Sequence, residues 1–149
     1  QLPGVTVLIA GDGPMRASLA RLARERGVAD RVRLLGNLPQ EELVGCYNAA
    51  DVLVLASTRE GMPNVVLESL ACGTPVIATA VGGIPELIDS DESGRLLAER
   101  SPGAIAAAVR ALLASPPDRA RVAAQGARFS WEPTIERLRR VILDTGTGT

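Results

Sequence analysis

The chain contains neither lysine nor histidine. Without lysine, its 149 residues cannot supply a Walker-type phosphate lysine, Schiff-base chemistry or a lysine general base. Without histidine, the histidine-based triads are excluded. All 16 basic residues are arginines, and 17 acidic residues bring the net charge to -1. That balance leaves no electrostatic footprint for nucleic acid or an anionic membrane surface. Aromatics make up 2% of the chain, which argues against the stacking platforms of single-stranded nucleic-acid binders. The two cysteines, Cys46 and Cys72, lack CxxC spacing and have no histidine to complete a zinc site, so they read as small buried thiols and no metal is expected. Nothing resembles a signal peptide, and no apolar run approaches the ~20 residues needed to span a bilayer. A cytoplasmic setting is therefore expected. Chemistry in this chain has to rest on carboxylates, arginines and backbone dipoles.

What is present is an alternation of two hydrophobic periods. Residues 5–10 (VTVLIA), 32–35 (VRLL), 52–56 (VLVLA), 76–79 (VIAT) and 95–97 (RLL) are short apolar runs, each reading as a strand covered on both faces. Helical patterns fall between them over residues 15–26, with Leu19, Leu22 and Ala23 on one face, 41–49 and 63–72, followed by a short turn at 85–88. Strand and helix alternating in this way predict an α/β parallel sheet flanked by helices, with a cleft along the carboxyl ends of its strands. After Leu97 the alternation stops. Residues 102–114 and 119–127 read as helices separated by SPPD, and Ser130 can cap a last helix whose Ile135, Leu138, Val141 and Ile142 form an apolar stripe expected to pack on its own domain. One domain over residues 1–143 and a frayed tail over 144–149 (DTGTGT) follow.

The segment EGMPNVVLE, from Glu60 to Glu68, carries the most chemical information. A polar, glycine-bearing turn follows a buried strand and runs into an apolar helix that holds a carboxylate. Pro63 suits a first helical turn, because its missing N–H would have been unpaired anyway. The amides of Asn64 and Val65 then point outward at the positive end of a helix dipole, where a phosphate is favoured. Glu68 lies one turn further in, crowded by Val65, Val66, Leu67, Leu70 and Ala71. As an ionised acceptor it can take strong hydrogen bonds, although a solvated helix residue is the plainer reading. Glu60 reads as a ligand carboxylate or as an ordinary loop acid, with Arg59 as its ion-pair partner. Asn64 reads either as a ligand group or as a helix cap. Gly11, in GDGP, and the pair Gly82 and Gly83 follow strands, where backbone must turn tightly or approach a ligand closely. Gly36 and Asn37 end another strand.

Taken in order, GDGP at residues 11–14, LLGNLP at 34–39, EGMPNVVLE at 60–68, ACGTPVIAT at 71–79, VGGIPELI at 81–88 and FSWE at 129–132 resemble the group-1 glycosyltransferases, retaining enzymes of the GT-B fold. The resemblance covers nearly the whole chain and matches their carboxy-terminal, Rossmann-like, nucleotide-sugar donor-binding domain. It implies that Glu68 accepts hydrogen bonds from the ribose hydroxyls and that Glu60 is the catalytic-site carboxylate near the transferred sugar. It also implies that Gly61, Met62, Pro63, Asn64 and Val65 wrap the sugar and diphosphate, and that the Gly36 and Asn37 loop lies beside the base. The commoner family form has phenylalanine and glycine after EG; Met62, Pro63 and Asn64 stand here instead, so the sugar is left open.

The same resemblance implies a UDP- or GDP-sugar donor, no cofactor and no required metal, and a sugar or lipid acceptor held by an amino-terminal domain absent from this chain, so the isolated piece is expected to be inactive in transfer. A cytoplasmic enzyme follows, working at the inner face of the membrane where the acceptor is a lipid. A strand and helix that precede this segment in the family are missing too. That absent strand would be central, so the five remaining strands must close up, recruit another chain, or leave a gap whose unpaired edges invite self-association. Rival readings are weaker. A sugar-nucleotide epimerase or a phosphorylase of this fold calls for histidine or a lysine-bound cofactor, a non-catalytic binding module has no need of a carboxylate in an apolar helix, and a dinucleotide-binding dehydrogenase needs glycine where GDGPMR has arginine.

Overall fold

The structure, a computed structural model, describes residues 2–144. Five parallel strands alternate with helices in the first two-thirds of the chain: β1 Val7–Ala10, α1 Arg16–Glu25, β2 Val32–Gly36, α2 Gln40–Ala49, β3 Leu53–Leu55, α3 Asn64–Ala71, β4 Val76–Thr79, α4 Ile84–Leu87 and β5 Gly94–Leu97. Three helices then follow without strands, α5 Pro102–Ala114, α6 Arg119–Ala127 and α7 Trp131–Asp144. The caps explain two of their starts. Ser101 accepts from the Ala104 amide at 3.1 Å ahead of Pro102, and Asp118 accepts from the Arg121 amide at 3.0 Å, so each satisfies a donor that the helix itself cannot.

The strands form two sheets rather than one, β1-β2 and β3-β4-β5, all paired in parallel. The single sheet expected from the alternation is thus divided, a gap standing between β1-β2 and β3-β4-β5 among the described residues. One edge of β1 and one edge of β3 have no strand neighbour among the described residues. This division decides where the core sits. The period of two along β4 sends Val76 and Ala78 to one face, against Val66, Leu70, Ile84, Leu87 and Val122 from α3, α4 and α6 and Ile88 just after α4. Ile77 goes to the other face, against Leu97, Val109 and Leu112. Each fully buried Leu or Ile of this kind stabilises the fold by roughly 1.5–3 kcal/mol.

The two-sided burial expected of every strand holds only for β4, all four of whose residues are buried. Val7 and Leu8 of β1 are exposed, as are Val54 of β3 and Leu96 of β5, because each lies on a strand with an open edge or face. On α1 the expected face is likewise only partly covered: Ala23 is buried, Leu19 half-buried and Leu22 exposed. The stripe on α7 also departs from expectation. Ile135, Leu138, Val141 and Ile142 are each more than half exposed. Neither core cluster includes a residue of α7; the last residue packed against either is Phe129. The cysteines, expected to be buried, are half-buried and free. The expected tail lies outside the described residues from residue 145 onward.

Candidate functional site

The carboxyl ends of β3, β4 and β5 bound a cleft of about 300 Å³, lined by Ser57, Thr58, Thr79, Val81 and Leu97 with Glu99 and Arg100 at its rim. Thr79 ties two of these ends together, its hydroxyl donating to the Ser57 carbonyl at 2.6 Å. From here the chain runs through the Glu60 loop into α3. That loop lies against the turn after β4: the Gly83 amide donates to the Gly61 carbonyl at 2.8 Å. Gly82 has a φ of +56°, and a Cβ there would run into the Glu60 carbonyl, so the two loops meet backbone to backbone at this point, with the Met62 side chain against Gly83. Glu60, Gly61, Met62, Gly82 and Gly83 are thereby brought together. Glu60 is half-buried, and the expected ion pair with Arg59 is not formed among the described residues.

Helix α3 begins one residue later than its proline suggests. Pro63 has an extended backbone, φ −76° and ψ 115°, and occupies the cap position rather than the first turn. It supplies no side-chain cap, and its carbonyl accepts from the Val66 amide at 3.1 Å. Asn64 is the first helical residue, which removes the reading of its side chain as the cap. Asn64 and Val65 are exposed at this uncapped start.

Glu68 is half-buried on α3. Its Oε2 accepts a hydrogen bond from the Tyr47 hydroxyl at 2.9 Å, across from α2. No cation pairs with Glu68, and its Oε1 accepts no side-chain hydrogen bond, among the described residues. The carboxylate is therefore anchored on one oxygen and uncommitted on the other. Burial pushes the Tyr47 phenol well above its ordinary range, and the hydrogen bond and charge of Glu68 push it further the same way. The phenol stays a donor.

The other glycine motifs belong to the other sheet. The Gly11 amide donates to the Gly36 carbonyl at 2.7 Å, so the loops after β1 and β2 meet, with Asn37 exposed beside them. The Arg16 guanidinium lies over this junction and donates to the Leu34 carbonyl at 3.0 Å. The expected site residues thus form two groups, one at the end of each sheet. A larger open depression of about 780 Å³ runs between β5 and α5, with Asp89, Arg95, Leu96, Ala104 and Ala108 in its lining, and shares Leu97 and Ala98 with the smaller cleft; none of the expected site residues lines it. Among the described residues no cluster of acidic residues or cysteines is arranged to hold a metal ion.

A family model described as "Glycosyl transferases group 1" matches residues 1–129. The chain belongs to that family. Among curated relatives of this glycosyltransferase chain, the D-inositol 3-phosphate glycosyltransferase of Mycolicibacterium smegmatis is 41% identical over 146 residues, covering 93% of this chain and 33% of the relative. The enzyme of the same name from Thermobispora bispora is 43% identical over 137 residues, covering 89% of this chain and 32% of the relative. The chain thus spans about a third of the length of the curated relatives it matches. Among solved structures, sucrose-phosphate synthase from Thermosynechococcus elongatus superposes with a TM-score of 0.84 at 31% identity, covering 97% of this chain and 40% of that one. Anabaena HepE, solved in complex with UDP, superposes with a TM-score of 0.78 at 23% identity over 97% of this chain and 42% of that one, a likeness of fold. The observed fold accordingly matches part of the GT-B fold of these glycosyltransferases.

Tyr47, Arg16 and Thr79 were not singled out by the sequence. Each acts through a contact with a residue 18 to 22 positions away, and no local pattern announces it.

Proposed function

We propose that this chain is the donor-binding part of a retaining glycosyltransferase, which grips a nucleotide-diphosphate sugar while its sugar is moved to an acceptor hydroxyl. The observation that carries the reading is Glu68, a half-buried carboxylate one turn into α3, held by a neutral donor on one oxygen and uncommitted on the other. A ribose diol satisfies such a group: two hydroxyls donate to an ionised acceptor, the stronger class of hydrogen bond. The names of the relatives, glycosyltransferases at about 40% identity, support the same reaction class.

In this reading the uncapped amides at Asn64 and Val65 face the diphosphate. They stabilise the charge that builds on it as the bond from the sugar's anomeric carbon to the phosphate oxygen breaks. The sugar passes through an oxocarbenium-like state and receives the acceptor oxygen on the face the diphosphate leaves, without a required metal. Glu60 is the catalytic-site carboxylate that positions the sugar, with Gly61, Met62, Pro63, Gly82 and Gly83 forming the wall around it. Gly11, Gly36 and Asn37, at the end of the other sheet, lie on the base side. UDP- or GDP-sugars are the donor class, the acceptor is a sugar or lipid held elsewhere in the full enzyme, and a cytoplasmic setting suits such donors. Among the described residues no helix is long and apolar enough to cross a membrane. The unpaired edges of β1 and β3 support self-association of the chain.

Titration of the chain with a panel of UDP- and GDP-sugars tests this reading, using Glu60→Ala beside the parent. The variant should bind bare UDP like the parent while losing discrimination among sugars. Equal loss for the bare nucleotide and every sugar would remove Glu60 from the sugar, and failure of the parent to bind any member would end the proposal.

A further inference from the structure

Resting on the ribose role of Glu68, a second residue of the grip can be identified outside the EGMPNVVLE segment. Tyr47 is the one buried residue of α2, with 7% of its surface exposed, and it is the sole tyrosine of the chain. A buried phenol needs a hydrogen-bond partner, and a backbone carbonyl would serve that need at no electrostatic cost. Here the hydroxyl is instead aimed at the Glu68 carboxylate, at 2.9 Å.

The geometry behind Tyr47 is just as specific. The hydroxyl of Thr74, fully buried, donates to the Tyr47 carbonyl at 2.6 Å. The Arg119 guanidinium, from α6, donates to that same hydroxyl oxygen at 2.9 Å and to the carbonyls of Asn48, Ala50 and Cys72 at 3.1, 3.0 and 3.2 Å. One arginine thereby fastens the end of α2 to the loop after α3, and with it the relative placement of Tyr47 and Glu68. A glutamate on an open helix face samples several rotamers, and fixing it only when ligand arrives lowers affinity by the entropy of that ordering.

We propose that Tyr47 is the positioning residue for Glu68: its hydroxyl holds Oε2 so that Oε1 is presented, before ligand arrives, to the ribose hydroxyls of a nucleoside diphosphate. The phenol touches neither sugar nor phosphate, and acts through the carboxylate alone.

Isothermal titration of UDP and of 2′,3′-dideoxy-UDP into the parent chain, Tyr47→Phe and Glu68→Ala tests it. Tyr47→Phe should weaken UDP about tenfold, the scale of one hydrogen bond to a charged group, and leave the dideoxy compound unchanged. In the Glu68→Ala background, Tyr47→Phe should have no further effect on UDP. Loss in Glu68→Ala with none in Tyr47→Phe overturns the positioning role alone, whereas parent-like binding by Glu68→Ala overturns the ribose role and this proposal with it. Equal weakening of both ligands by Tyr47→Phe marks a packing defect and also overturns it. A measurement without substitution uses the sole tyrosine: with 3-fluorotyrosine incorporated, its fluorine resonance should move on addition of UDP and stay in place with the dideoxy compound. A resonance indifferent to both would refute the proposal.

Discussion

Replacing Gly82 by alanine should damage this fold out of proportion to the single methyl it adds. Gly82 sits at φ +56°, where a residue with a Cβ pays roughly 1–2 kcal/mol. Its Cβ would also strike the Glu60 carbonyl and come within 3.0 Å of the Gly61 oxygen, both main-chain atoms that cannot rotate aside. Relief requires the Glu60 loop to move off, which breaks the 2.8 Å bond between the Gly83 amide and the Gly61 carbonyl, a further ~1 kcal/mol. Gly82→Ala should therefore lower the unfolding free energy by about 2–3 kcal/mol in a urea titration with unchanged slope. Gly61→Ala is the internal control. It lies in the facing loop, but a Cβ there meets nothing within 4 Å and its φ is not in the left-handed region, so the change should stay within about 0.5 kcal/mol. If the two variants unfold at the same urea concentration, the close backbone contact between these loops is refuted.

Other consequences follow from named contacts. Arg119→Ala removes four hydrogen bonds from an exposed guanidinium and should cost roughly 1–2 kcal/mol in the same denaturation assay, with Arg119→Lys recovering part of it; parent-like stability would refute the clamp. The Tyr47 phenol is held above its ordinary value, so its stabilising contribution is complete below pH ~10 and fades as pH rises, because the unfolded phenol ionises first. Absorbance at the phenolate band, read on this sole tyrosine, should stay flat through the ordinary titration range until the chain unfolds. At the acid end, the Arg128 guanidinium, 2.8 Å from Asp89, holds that carboxyl below the usual range, so its contribution is present above the ordinary carboxylate value and lost as pH falls through the lowered one. Asp89→Asn should flatten the acid limb of the stability curve, and salt should weaken the pair, since both side chains are substantially exposed. The unpaired edges of β1 and β3 should make sedimentation of the chain concentration-dependent, and a strict monomer across the whole range would contradict that.

Much of the fold was legible because its signals are local. α5 and α6 span the residues their patterns mark out, on either side of the SPPD break. β4 reads as an unbroken apolar run and is buried along its length. Pro63 misled by one position, since its extended backbone puts it at the cap. The stripe on α7 announced a helix correctly but not its cover, because periodicity reports which side chains share a face and nothing about what lies opposite. The same limit applies to β1 and β2, whose apolar content resembles that of β4 while their burial depends on neighbours that the run itself does not encode. Within the candidate site, the Glu60 to Glu68 segment was visible as a contiguous pattern. Tyr47 and Arg119 were not, since their roles arise from contacts spanning 21 and 69 positions of chain.

In the proposed grip, Glu68 takes a ribose diol while the start of α3 takes the diphosphate. Dissociation constants for UDP and for inorganic pyrophosphate, measured on the parent and on Glu68→Ala, separate these two halves. The variant should lose roughly 10- to 100-fold in affinity for UDP, the scale of one or two hydrogen bonds to a charged acceptor, and bind pyrophosphate like the parent. UDP affinity unchanged by the substitution would contradict it.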